Sequence, residues 1–329
     1  MPANLTPEFY RAEEAFRKAS SLNEKLDALK KMLAAIPKHK GTEKMQADLK
    51  KRIAALREEI QKSGKKKASF SFKVEKEGGG QVAVVGPPNS GKTQLVSTLA
   101  GIDTLEVADY PFTTRKPHPA MMPYEDIQIQ LVDLPPISSQ HMEFWVPNII
   151  RSADMILLAI DLADPAVLDL LEESIHILKE HKIEPVNYMP EEDYWASVVK
   201  KRTWLVGTKL DLPDAADNWE IIKEAYFDQF GLSAVSAVTG ENIERLRTEI
   251  FQALEIIRVY SKPPGKDPDM SQPFTLPKGS NLLDFANKVH RDFGERLRYA
   301  RLWGHGKFEG QRIMRDYILH DRDIVELHL

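Results

Sequence analysis

The residues Gly86-Pro87-Pro88-Asn89-Ser90-Gly91-Lys92-Thr93 follow the spacing G-x-x-x-x-G-K-[ST]. That spacing suits the chemistry of phosphate. Two glycines let successive backbone N–H groups turn inward around an anion. A lysine in the seventh place reaches the outer phosphates of a nucleoside triphosphate, and a hydroxyl in the eighth ligates Mg²⁺. Gly86, Pro87, Pro88, Asn89, Ser90, Gly91, Lys92, Thr93 and the adjoining Gln94 are therefore the expected phosphate-binding residues. Lys92 acts on the transferred phosphate, and Thr93 is a metal ligand.

Such a loop works only if a strand delivers it and a helix leaves it. Val82-Ala83-Val84-Val85 is a short apolar run of the kind that forms a buried parallel strand. Gln94-Leu95-Val96-Ser97-Thr98-Leu99 has a helical pattern, and the helix start adds positive potential at the loop. Further apolar runs occupy 127–132, 155–160 and 203–206, and a shorter one ends at Val235. Helix-like stretches separate most of them. This alternation predicts a doubly wound α/β domain over residues 78–255.

The phosphate loop does not choose the base. Thr208-Lys209-Leu210-Asp211, directly after the run through Val206, resembles the guanine-reading N/T-K-x-D element of GTPases. A carboxylate at Asp211 accepts hydrogen bonds from N1–H and the 2-amino group of guanine, which adenine does not offer. Lys209 is expected to lie along the base and brace the phosphate loop. Ser236-Ala237-Val238 supplies the last base-binding element, with the Ala237 N–H donating to O6. An ATP-using protein is the distant alternative. Asp133 ends the run 127–132 and is expected to hold Mg²⁺ through water. Two positions after it depart from the GTPase pattern. Pro136 stands where a glycine N–H usually contacts the γ-phosphate, and proline has no N–H. Ile137 stands where many GTPases carry a glutamine that orients water, so slow intrinsic hydrolysis is expected.

Together with Tyr110-Pro111-Phe112-Thr113-Thr114 and Ala100-Gly101, these motifs resemble the Obg/DRG (developmentally regulated GTP-binding protein) GTPases. Arg258-Val259-Tyr260-Ser261-Lys262-Pro263-Pro264-Gly265, Tyr299-Ala300-Arg301-Leu302-Trp303-Gly304 and the stretch 319–327 resemble the TGS domain that ends DRG-type chains. The resemblance implies a P-loop GTPase sheet, preceded by an α-helical hairpin and followed by a small β-grasp domain. It implies GTP and GDP as ligands, with Mg²⁺. It implies Thr114, with Thr113 as the fallback, as the switch threonine on Mg²⁺ and the γ-phosphate. Asn89 matches an asparagine that helps hold a monovalent cation in potassium-activated relatives, so K⁺ is a possible further cofactor; a turn-forming asparagine is the alternative. The implied partner is the ribosome or another RNA, and the implied role is a regulatory switch. A GTP- or GDP-holding scaffold that hardly hydrolyses or switches is the alternative. The segment 138–202 is too short for the extra inserted domain of DRG proteins.

Charge and composition agree with that frame. Residues 1–76 carry 19 Lys+Arg against 10 Asp+Glu, and the remainder carries 26 against 39. A basic arm on an acidic body suits a polyanionic partner. The arm reads as two amphipathic helices, with stripes Leu26, Leu29, Met32, Leu33, Ile36 and Met45, Leu49, Ile53, Leu56, Ile60 on either side of Pro37 and Gly41. Lys62, Lys65, Lys66, Lys67 and then Gly78-Gly79-Gly80 have connector composition. The expected division is a basic helical region over 1–77, the GTPase domain over 78–255 and the β-grasp domain over 256–329. The chain of 329 residues has no cysteine, which excludes disulfides, cysteine-ligated zinc and thiol catalysis. No apolar run approaches the roughly 18 residues of a membrane span. The start lacks a secretory pattern, so a cytoplasmic protein, monomeric by default and open to a protein regulator, is expected. His290, His305, His320 and His328 crowd the last part without helix-compatible metal spacing. Trp303 beside Tyr299 reads as core of a small sheet, with base stacking as the alternative.

Overall fold

The computed structural model describes residues 6–19, 22–37, 42–63, 74–102, 117–140, 142–188, 197–306 and 308–328. The chain forms two compact units, Met1–Lys73 and Val74–Leu329. No helix among the described residues is long and apolar enough to cross a membrane.

The first unit contains α1 (Pro7–Lys18), α2 (Leu22–Ala35) and α3 (Glu43–Ser63). The two apolar stripes do meet: Leu29, Met32, Ile36, Leu49 and Ile53 share one core. The expected hairpin is nevertheless a three-helix unit, because Phe9 and Ala12 of α1 join that core. The hydroxyl of Thr6 accepts from the Phe9 N–H at 3.2 Å, with Pro7 in the first turn, a favourable helix start. The same hydroxyl donates to the Ala35 carbonyl at 3.1 Å, tying the start of α1 to the end of α2. Lys50, Lys51 and Arg57 are exposed. Lys65, Lys66 and Lys67 lie outside the described residues.

The second unit holds two sheets. In chain order the larger α/β part runs β1 (Gln81–Val85), α4 (Lys92–Ala100), β2 (His118–Tyr124), β3 (Ile127–Asp133), α5 (Val146–Ser152), β4 (Met155–Asp161), α6 (Val167–Glu180), β5 (Ile183–Val186), β6 (Val199–Thr208), α7 (Ala215–Tyr226), β7 (Gly231–Ala234) and α8 (Ile243–Ala253). The sheet order is β2-β3-β1-β4-β6-β5, with β7 also on β6. β1 is central, parallel to β3 and β4, and all five of its residues are buried, hence its unbroken apolar run. β2 is antiparallel to β3 at the sheet edge. Its Pro119 and Pro123 erase a strand signal in the sequence, yet an edge strand tolerates them. Gly78-Gly79-Gly80, connector-like in composition, is packed rather than free. A Cβ on Gly78 would fall 2.2 Å from the Gln128 carbonyl oxygen, and one on Gly79 would crowd Ile127 and Ile256.

The smaller part runs β8 (Ile256–Ser261), β9 (Phe274–Pro277), α9 (Leu282–Val289), α10 (Arg291–Arg296), β10 (Tyr299–Trp303), β11 (Gln311–Ile313) and β12 (Asp323–His328). Its strand order is β11-β10-β12-β8-β9, over a core that includes Val259, Phe285, Ala300, Leu302 and Val325. The helical pattern from Leu282 onward breaks at His290, whose backbone is extended and whose ring caps Asp292.

Candidate nucleotide site

The phosphate loop sits at the carboxyl end of β1, between β3 and β4, where open α/β sheets bind ligands. Its glycines are required by space. A Cβ at Gly86 would meet the Ala159 carbonyl oxygen at 2.2 Å. Gly91 caps α4 at φ +74, a conformation that glycine adopts at no steric cost. Asn89 also has a left-handed backbone, φ +59, with an exposed side chain. Ser90 Oγ donates to the Pro87 carbonyl at 2.9 Å and closes the turn. Pro88 and Gln94 are exposed at the two rims.

Lys92 is folded into this cradle. Its Nζ donates to the Pro87 carbonyl at 2.7 Å and to Ser90 Oγ at 3.3 Å. Burial lowers its pKa to about 8, and the Asp133 carboxylate opposes that shift. Asp133 is 2% exposed; its Oδ2 accepts from the Thr93 hydroxyl at 2.6 Å. Its Oδ1 is buried with no hydrogen-bond partner among the described residues. Burial pushes the Asp133 pKa up, against the Thr93 hydrogen bond and the charge of Lys92. A half-buried hydroxyl bonded to a buried carboxylate with a spare oxygen is a hard oxygen donor set that fits Mg²⁺.

The base-reading corner is tied to the loop. The Thr208 hydroxyl lies 2.8 Å from the Ser90 carbonyl and 3.0 Å from that of Ile160, so the threonine variant keeps a link to the phosphate loop. Lys209, at φ +57, runs past Gly91 to an ion pair with Asp161, 2.5 Å away. Asp211 Oδ1 accepts from Ser236 Oγ at 2.5 Å. The Leu210 N–H donates to the Val235 carbonyl at 3.1 Å. Ser236 is buried and Val238 is 81% exposed, while the Ala237 carbonyl accepts from Thr98 at 3.3 Å. Every expected base- and phosphate-binding residue is thus gathered around one end of β1, β4 and β6. Thr113 and Thr114 lie outside the described residues.

The segment after Asp133 is held by protein. The Ile137 N–H donates to the Gly86 carbonyl at 3.1 Å, and the residue is 1% exposed. The Ser139 N–H donates to Glu173 at 2.8 Å, and that contact lowers the Glu173 pKa. Sequence reasoning missed Glu173 and Asp161. Asp161 had a signal: it ends an apolar run and pairs with Thr208 in register. In the smaller sheet, His305 and His320 stack at 5.0 Å beside buried Asp323, which His305 Nδ1 approaches to 3.0 Å. Trp303 is half-buried beneath Lys262.

Comparison with known proteins agrees with this geometry. Residues 81–190 match the family described as 50S ribosome-binding GTPase, and residues 257–329 match the TGS domain. A GTP-binding protein of Methanocaldococcus jannaschii is 29% identical over 93% of this chain and 92% of its own. Developmentally-regulated G-protein 1 of Arabidopsis thaliana is 28% identical over 92% and 90%. Among solved structures, the YchF GTPase of Schizosaccharomyces pombe superposes with a TM-score of 0.51 at 12% identity, covering 77% of this chain and 99% of that one, a likeness of fold alone. With a phosphate loop, a T-K-x-D corner and a β-grasp module in this order, the chain carries a GTPase domain followed by a TGS domain and is similar over most of its length to the DRG-type GTP-binding proteins.

Proposed function

We propose that this chain is a Mg²⁺-dependent GTPase with slow intrinsic hydrolysis, acting as a ribosome- or RNA-associated switch. The observation that carries the reading is the joint placement of Lys92, Thr93 and Asp133 beside a Thr208–Lys209 corner bonded to the phosphate loop. The backbone N–H groups at the start of α4 and the Lys92 ammonium hold the phosphates. Thr93 and Asp133 hold the metal, which when bound neutralises charge on the β- and γ-phosphate oxygens. Asp211 and the Ala237 N–H read guanine, and Lys209 keeps the base plane aligned. Thr114, or failing it Thr113, would be the switch threonine for the metal and the γ-phosphate.

Hydrolysis is slow because two aids are missing. Ile137 is apolar and buried, so it orients no water, and Pro136 has no N–H for the γ-phosphate. Asn89 offers a carbonyl oxygen for K⁺, which when bound supplies the positive charge that the missing glutamine does not. The basic first unit and the TGS domain take the RNA side, with exposed Lys50, Lys51 and Arg57 as phosphate contacts. The description of the matched family as ribosome-binding supports that partner. The protein works in the cytoplasm, as a monomer open to a protein regulator.

Single-turnover hydrolysis with Mg²⁺, in K⁺ and in Na⁺, tests the enzyme. Slow turnover, faster in K⁺, is expected; no turnover with nucleotide bound would leave the scaffold reading. That reading has an observation in its favour, the bond from the Ile137 N–H to Gly86, which occupies the switch backbone. Co-sedimentation with ribosomes at rising salt tests the partner. Binding that falls steeply with salt is expected, and salt-independent or absent binding would refute it.

A further inference from the structure

The β2–β3 hairpin has two ends in different company. Its root is at the nucleotide site: Asp133 ends β3, and His118 at the start of β2 pairs directly with it. Its tip is the two-residue turn Glu125-Asp126, with Glu125 at φ +51. Strands of this length put about 20 Å between root and tip. The tip is not a free loop, because side chains of the TGS domain close over it.

Arg258 of β8 is the centre of that closure. Its side chain is 3% exposed. Nη1 donates to Glu125 and, at 2.8 Å, to Asp126. Nε and Nη2 donate to Asp321 of the TGS domain at 3.0 and 2.6 Å. The Tyr260 hydroxyl donates to Asp126, and Arg322 pairs with Glu125 at 2.6 Å. Phe251 backs the cluster, 4.9 Å from the Arg258 guanidinium and stacked on Tyr124 at 4.6 Å. Asp321 alone would satisfy one edge of the guanidinium. The other edge is committed to the hairpin turn, and a buried guanidinium tolerates few substitutes for such partners.

Directly after Asp133, backbone donors are missing or taken up. Pro136 offers no N–H, and the Ile137 N–H is spent on Gly86. The hairpin is the element that leads from Asp133 to a second domain. We infer that the tip of the β2–β3 hairpin is the effector surface of the GTPase domain, and that the TGS sheet is the effector seated on it. The inference rests on the GTPase reading above. Nucleotide state then sets how firmly Arg258, Tyr260 and Arg322 are held, and by reciprocity that grip changes the preference between GTP and GDP.

Hydrogen exchange on the full chain, saturated with GDP or with a non-hydrolysable GTP analogue and Mg²⁺, tests this. Amides at 256–262 and 319–326 should differ in protection between the two states by at least about fivefold, the low end of a typical coupling. The double variant Glu125→Gln/Asp126→Asn should lose most of that difference while still binding both nucleotides. Because Arg322 is exposed and pairs with Glu125 alone among the described acidic groups, Arg322→Gln should fold normally and reduce the difference in part. Equal protection in both states of the saturated wild type would overturn the inference, as would a difference that survives in the double variant. Failure to bind either nucleotide would instead overturn the GTPase reading, and the inference with it.

Discussion

Lys209 Nζ lies 2.5 Å from Asp161 Oδ2, joining the base-reading loop after β6 to the end of β4. Asp161 is itself 14% exposed at its side chain, and its Oδ1 accepts from the Ala163 N–H at 3.0 Å. The carboxylate is therefore fixed before it meets the lysine. Asp161→Asn should weaken binding of GTP and GDP equally by about 1 kcal/mol, roughly fivefold, the range of a partly exposed ion pair. Titration with a fluorescent GDP checks it. Unchanged affinity would mean that Lys209 needs no help in lying along the base.

Asp211 accepts from Ser236, and in the proposed function it also accepts from guanine. Asp211→Asn puts an amide donor against the guanine donors. Guanine preference over adenine should fall by about 10- to 100-fold, the cost of unpaired polar groups at one edge. Competition of ATP against a labelled guanine nucleotide measures this. An unchanged preference would remove Asp211 from base recognition.

Thr93 and the spare oxygen of Asp133 form the proposed metal-binding pair. Chelation of Mg²⁺ with EDTA should weaken GTP binding more than GDP binding, because the γ-phosphate adds charge that only the metal and Lys92 can balance. Thr93→Ala should blunt the Mg²⁺ dependence. Stopped-flow release of labelled nucleotide reports both. Release rates indifferent to EDTA would count against the pair.

Pro136→Gly restores a backbone N–H where the γ-phosphate is expected. Preference for GTP over GDP should rise by roughly tenfold, the worth of one hydrogen bond to a charged group. Paired dissociation constants decide it. No gain would place this stretch of backbone out of reach of the phosphate.

Acid should loosen the TGS contact first. Hydrogen bonds from Arg258 and Arg322 hold Glu125 below its ordinary pKa. Burial pushes Asp126 and Asp321 upward, but Tyr260 and Arg258 on the first and Arg258 on the second bring both below the usual carboxylate range. These groups bind protons more weakly folded than unfolded. Their stabilisation is present above the unfolded value of about 4 and is lost as pH falls through the lowered folded values. Wild type should therefore lose stability below about pH 4 more steeply than Glu125→Gln/Asp126→Asn, in denaturant titrations at stepped pH. Parallel slopes would mean the cluster is already compensated in the unfolded chain.

The strand, loop and helix around residues 86–93 and the buried apolar runs of β3, β4 and β6 were legible in the residues themselves. Each depends on spacing within a few positions, or on a buried strand that must be apolar throughout, and such constraints are written locally. The amphipathic stripes of α2 and α3 were legible for the same reason. Other features were decided only by tertiary contact. The edge strand β2 carries two prolines and has no periodic signature until β3 pairs with it. The two stripes of α2 and α3 pointed to a hairpin, and only the folded unit shows that Phe9 and Ala12 of α1 join their core. Gly78-Gly79-Gly80 looks like slack chain until the Gln128 carbonyl comes within reach of a Cβ. Lys209 with Asp161, and Arg258 with Glu125 and Asp126, join residues 48 to 133 positions apart. A charged side chain names its partner's sign but not its address, and over such distances only the folded backbone supplies the address.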